Sequence, residues 1–396
     1  DSTDSTDSTP NPSPEPVPRA MELEFTADQD ELRDSMRAVL AKESPVALAR
    51  RVVDHDVDLD ALWATLTGLG WSALTVPESD GGIGLGMIEA GILAEEIGRV
   101  IAPGPLLTTV TQFVPAVRET GTAEQRARFL GAVAAGRCSG AIAIAEKRGS
   151  FDPASVTATV AIDGAHAVLS GEKRFVVEGD AVDELVVVAR RPGTSGDDGV
   201  HALVVPVAAT GTRRVHALDG SRRLAHVDLD GVRVERDRVL GDGQSSSATA
   251  LRRAIEEATV ATALEIVGAA QTIFDVTLEY AKQREQFGVP IGSFQAIKHK
   301  FADMIVVLER ARATGYFAAL TIAEDDPRRT AAPSVAKVAA GDCQRLLAKE
   351  GIQIHGGIGY TWEHDMHLYV KRAKSLEPLF GSSSTHRAHI ADLLGV

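Results

Sequence analysis

The chain has little that would tie it to an extracellular, metal-bound or membrane setting. Only two cysteines, Cys138 and Cys343, occur in 396 residues, and they lie far apart. That excludes a disulfide framework or thiolate metal site and points to a reducing, cytoplasmic compartment. There is no His-x-x-x-His, Cys-x-x-Cys or Gly-x-Ser-x-Gly pattern, so the motifs predict neither a metal centre nor a serine nucleophile. No apolar run approaches the ~18 residues that suggest a membrane span, and no charged-then-apolar signal pattern opens the chain. Positive charge is also in deficit. A formal net charge of -14 argues against nucleic acid or an anionic membrane as the main partner, while leaving room for a local basic pocket.

What is present reads as an ordinary globular chain, 44% hydrophobic and 24% charged, long enough for two or three packed units. Residues 1–20 are a triple Asp-Ser-Thr repeat followed by a proline-rich tract. Such a segment cannot bury enough apolar surface to order itself, so it is excluded from the expected fold as a tail or artefact.

From Met21 to about Cys138 the pattern is helical, with one helix over Asp28–Lys42 and another over Met87–Val100, broken by the Pro/Gly-rich stretch 76–85. Over 139–243 the texture becomes short and β-branched, at Ala141–Ala145, Ser155–Ile162, Glu184–Arg190, His201–Val207 and Ala225–Val234. This predicts an antiparallel β unit. Over 244–396 helices return, at Arg252–Arg284, Phe294–Glu324, Ala332–Gly351 and His364–Lys374. The order of helices, strands and helices gives an α+β protein with ligand clefts at the junctions. The acidic pairs Glu95-Glu96 and Asp325-Asp326 read as solvated.

Four segments carry a family resemblance, and together they span most of 21–396. They are Gly70–Gly84 (with Pro77-Glu78 and Gly81-Gly82-Ile83-Gly84), Arg284-Glu-Gln-Phe-Gly-Val-Pro-Ile-Gly-Ser-Phe294, Gln353-Ile-His-Gly-Gly-Ile-Gly359, and Lys374-Ser-Leu-Glu-Pro-Leu-Phe-Gly-Ser-Ser-Ser-Thr-His-Arg387. The chain resembles the acyl-CoA dehydrogenases. That resemblance implies an N-terminal helical domain, a middle β domain, a C-terminal helical bundle, and FAD shared across a subunit interface. Arg284, Phe287, Phe294, Gln353, Gly356 and Gly357 would then meet the diphosphate and adenine ends of a neighbour's FAD. The residue types suit this: a guanidinium pairs with diphosphate oxygens, and glycines let backbone N–H groups approach phosphate.

The same resemblance marks what is missing. Phe380 stands where the family usually has its catalytic Glu, and a phenyl ring cannot accept a proton. Some members carry the base on the long helix, where this chain has Ala258. Glu256 and Glu257 sit nearby, but helical rotation turns Glu257 elsewhere, toward a solvated face. The family's Thr-Glu-Pro stretch is Ala145-Glu146-Lys147 here. Val177 replaces a Thr that hydrogen-bonds the flavin, although Gly171 and Lys173 remain. No catalytic residue is therefore expected in this chain.

An intact half offered to a neighbour beside an eroded half of its own resembles the non-catalytic subunit of an actinobacterial heterotetrameric acyl-CoA dehydrogenase, several of which act on steroid-side-chain thioesters. The implied partners are a second subunit with the Glu, an acyl-CoA bound mainly by that subunit, and an electron-transfer-flavoprotein-like acceptor. Two other readings fit the residues. One is a homo-oligomeric flavoenzyme with other chemistry, such as oxygenation, using His364, Asp365 or His386. The other is a non-enzymatic scaffold, for which Arg284 and Gln353 would have no use.

Overall fold

The computed structural model describes residues 24–396; the expectations for residues 1–20 and for Met21 lie outside them. Helix α1 (Ala27–Glu43) starts where Thr26 accepts from the Gln29 N–H and the Gln29 side chain returns to the Thr26 N–H, a reciprocal cap. Helices α2 (Val46–Asp54), α3 (Asp60–Gly68) and α4 (Met87–Val100) follow. Then come α5 (Leu106–Thr108), a π-helical turn over Thr109–Phe113, α6 (Val114–Thr120) and α7 (Ala123–Ala134).

The strands then form two sheets. β1 (Gly140–Ala143), β5 (Glu184–Arg190), β2 (Thr159–Asp163), β3 (His166–Ser170) and β9 (Arg233–Glu235) lie in that order, with β6 (Val200–Pro206) also on β5. β4 (Glu172–Val177), β8 (Leu224–Asp228) and β7 (Gly211–Val215) make the smaller sheet. Most pairs are antiparallel as expected, but β5 runs parallel to β1, Ile142 opposite Val186, and to β2, Thr159 opposite Arg190. β5 is buried along nearly its whole length. One of its faces packs on the smaller sheet and the other joins the helical core. A strand covered on both sides carries a continuous apolar run, which hides its direction from any alternation-based reading.

The C-terminal helices are α8 (Ala248–Gln283), α9 (Gln295–Ala323), α10 (Ala332–His355), α11 (Met366–Leu376) and α12 (Ser383–Leu394), with a two-strand hairpin β10–β11 (Glu285–Gln286, Val289–Pro290) after α8. α8 crosses α4 backbone to backbone. A Cβ at Gly98 would lie 2.2 Å from the Glu265 carbonyl oxygen, and one at Gly268 1.9 Å from that of Glu95. Only glycine permits that approach. By length and composition α8 also meets the measure of a membrane-crossing helix, which the run-length reading did not register. Of that stretch, 72% is buried within the protein, as in a core helix.

Burial corrects two expectations. Glu95 and Glu96 are interior. Arg312 and Tyr316 hold Glu95 at 3.0 and 2.7 Å, and Arg37 grips Glu96 with two hydrogen bonds. Glu257 is buried too, paired with Arg118, and desolvation raises its pKa above the usual carboxylate value. Buried carboxylates persist where a cation answers them, and in each case the answering residue comes from a distant segment. Asp325, by contrast, is solvated as expected.

Candidate functional site

The hairpin after α8 is built to be presented. Phe287 and Gly288 both have positive φ, +56° and +79°, the backbone of a tight two-residue turn that matches strand twist. The Arg284 N–H donates to the Tyr280 carbonyl, and the Ile291 N–H returns to the Arg284 carbonyl, both at 2.8 Å. The hairpin's side chains stay outside. Arg284 is exposed, Phe287 is 94% exposed, and Phe294 meets Phe287 edge-on at 6.2 Å. Gln353 is exposed on the last turn of α10, which Gly356 ends at φ +63°. Nothing within 4 Å would meet a Cβ at Gly356 or Gly357, so their backbone faces open space.

Tyr280 stacks on His355 at 4.4 Å and joins the ends of α8 and α10. All six residues expected to touch FAD thus lie on segments at one end of the helical bundle, with Arg284 and Phe287 outward and Gly356 and Gly357 uncovered. The chemistry of that set, a guanidinium, a ring and bare glycine backbone, fits the diphosphate–adenine end of FAD.

The other end of α8 holds a cleft of about 630 Å³ lined by Arg148, Phe151, Ile255, Thr259, Ser334 and Phe380, among others. Phe380 lines it as apolar wall and offers no proton acceptor from its side chain. Its ring is 4% exposed and packs against Phe151 at a centroid distance of 4.8 Å. Ala258 is buried, and the Thr259 hydroxyl donates to the Ile255 carbonyl. Neither position expected for a catalytic Glu therefore carries a carboxylate.

The turn carrying Phe380, itself at φ +56°, is fastened by Lys337. This fully buried lysine donates to the carbonyls of Leu376, Glu377, Leu379 and Gly381 at 3.2, 2.6, 2.7 and 2.9 Å. Four carbonyl dipoles favour its ammonium, while burial draws its pKa down to about 7. Sequence reasoning missed Lys337. The available signal was a lysine in step with Pro333, Ala340 and Leu347 on the buried stripe of a helix.

His386 is half-buried, not a surface residue. Its Nε2 lies 3.0 Å from the Phe380 carbonyl and its Nδ1 2.9 Å from the Ser334 hydroxyl. Burial, then the Lys337 charge, lower its pKa to about 4.

On the β side, Glu146 accepts from Lys173 Nζ at 2.7 Å and from the Thr157 and Ala158 N–H groups at about 2.9–3.0 Å. The buried Lys173 also donates to the Ile144 carbonyl, and burial lowers its pKa to about 8. Glu146 is thus committed to the loop itself. Val177 is buried and offers no hydroxyl. These residues do not fit a flavin ring as the 284–294 and 353–357 segments fit the cofactor's other end.

His364 and Asp365 sit apart from His386. Asp365 pairs with Arg50 at 2.9 Å, and His364 accepts from the Met366 N–H at 3.1 Å. They follow the C-terminal end of α10, whereas His386 touches its first turn, roughly 30 Å away along the helix. The three candidate groups do not converge.

Residues 26–137 match the family description "Acyl-CoA dehydrogenase, N-terminal domain" and residues 248–395 match "Acyl-CoA dehydrogenase, C-terminal domain". Acyl-CoA dehydrogenase IpdE2 of Mycobacterium tuberculosis is 33% identical over 353 residues, covering 89% of this chain and 92% of the relative. A variant of the Tcur3481-Tcur3483 steroid ACAD superposes with a TM-score of 0.81 at 30% identity, over 93% of this chain and 98% of that one. The ChsE4-ChsE5 complex from Mycobacterium tuberculosis shares the fold, with a TM-score of 0.85 at 23% identity over 95% and 99% of the two chains. The helix–sheet–helix architecture, the hairpin after α8 and these matches have one conclusion: the chain belongs to the acyl-CoA dehydrogenase family, whose members are FAD-dependent flavoproteins.

Proposed function

We propose that this chain is the subunit without a catalytic glutamate in a heteromeric, FAD-dependent acyl-CoA dehydrogenase. One observation carries the reading. The residues suited to a neighbour's FAD are displayed outward, whereas the chain's own base position is a buried phenyl ring packed on Phe151. Arg284 would pair with diphosphate oxygens, Phe287 and Phe294 would flank the adenine end, and Gln353 with the Gly356-Gly357 backbone would close that end of the cofactor. Bound FAD supplies the hydride acceptor for α,β-desaturation of an acyl-CoA thioester. The partner subunit would contribute the Glu and most of the acyl-CoA cleft, and an electron-transfer-flavoprotein-like protein would take the electrons onward. A steroid-derived acyl group is favoured by the 30% identity to a protein described as a steroid ACAD, itself named as a pair.

The test is Arg284→Ala in the co-purified complex. Loss of a two-pronged charged hydrogen bond, worth about 1.5–3 kcal/mol, predicts FAD retention weakened on the order of 10- to 100-fold. Unchanged FAD content would favour a scaffold instead. Full dehydrogenase turnover with stoichiometric FAD from this chain alone would also refute the reading.

A further inference from the structure

The cleft behind Phe380 retains a second arrangement that desaturation does not use. The Phe380 carbonyl can only accept, so His386 Nε2, 3.0 Å away, carries the ring hydrogen. His386 Nδ1 is then bare and must accept, so the Ser334 hydroxyl, 2.9 Å away, donates to it. The tautomer is fixed by the partners alone. The order of hydroxyl, imidazole and oriented acceptor is that of an activated nucleophile, with a backbone carbonyl in the third place.

The surroundings hold these groups in place. A Cβ at Gly381 would lie 2.8 Å from His386 Nε2, so glycine there, at φ +103°, makes room for the ring. Lys337 fixes the carbonyl-bearing turn. Ser334 stands in the first turn of α10, where its N–H has no intrahelical acceptor. Both residues line the cleft of about 630 Å³, whose apolar wall includes Phe151, Ile255 and Phe380 and whose rim carries Arg148. The reading from motifs missed the pair because it joins two helices across 52 residues of sequence.

We propose that Ser334 and His386 form a nucleophile–base pair that cleaves activated acyl compounds, esters or thioesters with an apolar acyl group, seated in this cleft. Ser334 Oγ forms a bond to the acyl carbon as its proton passes to His386 Nδ1. The C–O or C–S bond breaks, and the leaving alcohol or thiol takes that proton. Water then adds to the acyl-serine, gives its proton to Nδ1, and the acid departs as the Ser334 hydroxyl is restored.

A fluorophosphonate probe on the full-length chain, with and without its partner, tests this independently of FAD content. The expected result is an adduct at Ser334, located by peptide mass, and hydrolysis of p-nitrophenyl butyrate that is lost in Ser334→Ala. His386→Gln discriminates. A glutamine amide can donate to the Phe380 carbonyl and accept from Ser334, preserving a structural link, but it cannot take a proton. Labelling slowed on the order of 100-fold or more in a folded H386Q supports the base role. No adduct at Ser334, adducts only on other serines, or wild-type labelling in H386Q would overturn it.

Discussion

Phe380→Glu introduces the residue that the family resemblance leads one to expect at this position, and the structure predicts that it restores nothing. The Phe380 ring is 4% exposed and packed on Phe151. Removing it forfeits roughly 2–3 kcal/mol of apolar burial and about 1 kcal/mol of ring–ring attraction. The carboxylate that replaces it finds few donors free. Lys337 is already engaged by four carbonyls, and His386 Nε2 by the carbonyl of residue 380 itself. Without a partner, the new group adds a desolvation cost of about 1–3 kcal/mol in its neutral form. The sum is a loss on the order of 5 kcal/mol, readable as a lowered urea midpoint of the purified chain. Turnover should stay at background, because Val177 and the Glu146–Lys173 pair leave a flavin ring unsupported. Stoichiometric FAD and measurable desaturation in F380E, or a stability loss below about 1 kcal/mol, would refute this reasoning.

Other outcomes follow from the buried charges. Arg372 is fully buried and donates to Asp219 at 2.6 Å and Glu265 at 2.9 Å. Arg372→Met leaves Glu265 with Arg222 and Asp219 with Ser221 as their remaining partners, so unfolding should cost about 3 kcal/mol less than in the wild type, the low end for a broken buried pair, measured by chemical denaturation. His386 titrates near pH 6.5 in the unfolded chain and about 4 when folded, held down by burial and by Lys337 and His389 while the hydrogen bond to the Phe380 carbonyl and Glu377 oppose them. As pH falls, the unfolded chain takes up the proton first. This contribution is therefore present above pH 6.5 and lost between 6.5 and 4, amounting to roughly 3 kcal/mol. Stability measured over that window should flatten in His386→Gln, and an unchanged slope would contradict the assignment.

The helices were legible because their signals are local. Met87–Val100 was read to the residue, and the expected end of the long helix at Arg284 is its C-cap. The set proposed to meet FAD could be named from the sequence because it lies in two contiguous motifs. What escaped depends on meetings between remote segments. Glu257 reads as solvated until Arg118 is brought against it, and Glu95 until Arg312 and Tyr316 arrive. The parallel β1–β5 pair leaves no mark of direction in a strand covered on both faces. The setting of His386 escaped because nothing near it in sequence predicts the Phe380 carbonyl and Ser334 closing on it.

The single helix α8 has a consequence for how such a chain can change over time. At about 1.5 Å per residue, Thr259 at the cleft and Gln283 before the hairpin lie roughly 36 Å apart on one continuous rod, its line fixed where Gly98 and Gly268 let α4 touch it. A rigid rod pinned at its middle insulates its ends. Substitutions could accumulate at the cleft without disturbing the hairpin. A gene copy freed from one duty could lose it and keep the other, and the fold itself sets no penalty on that division of labour.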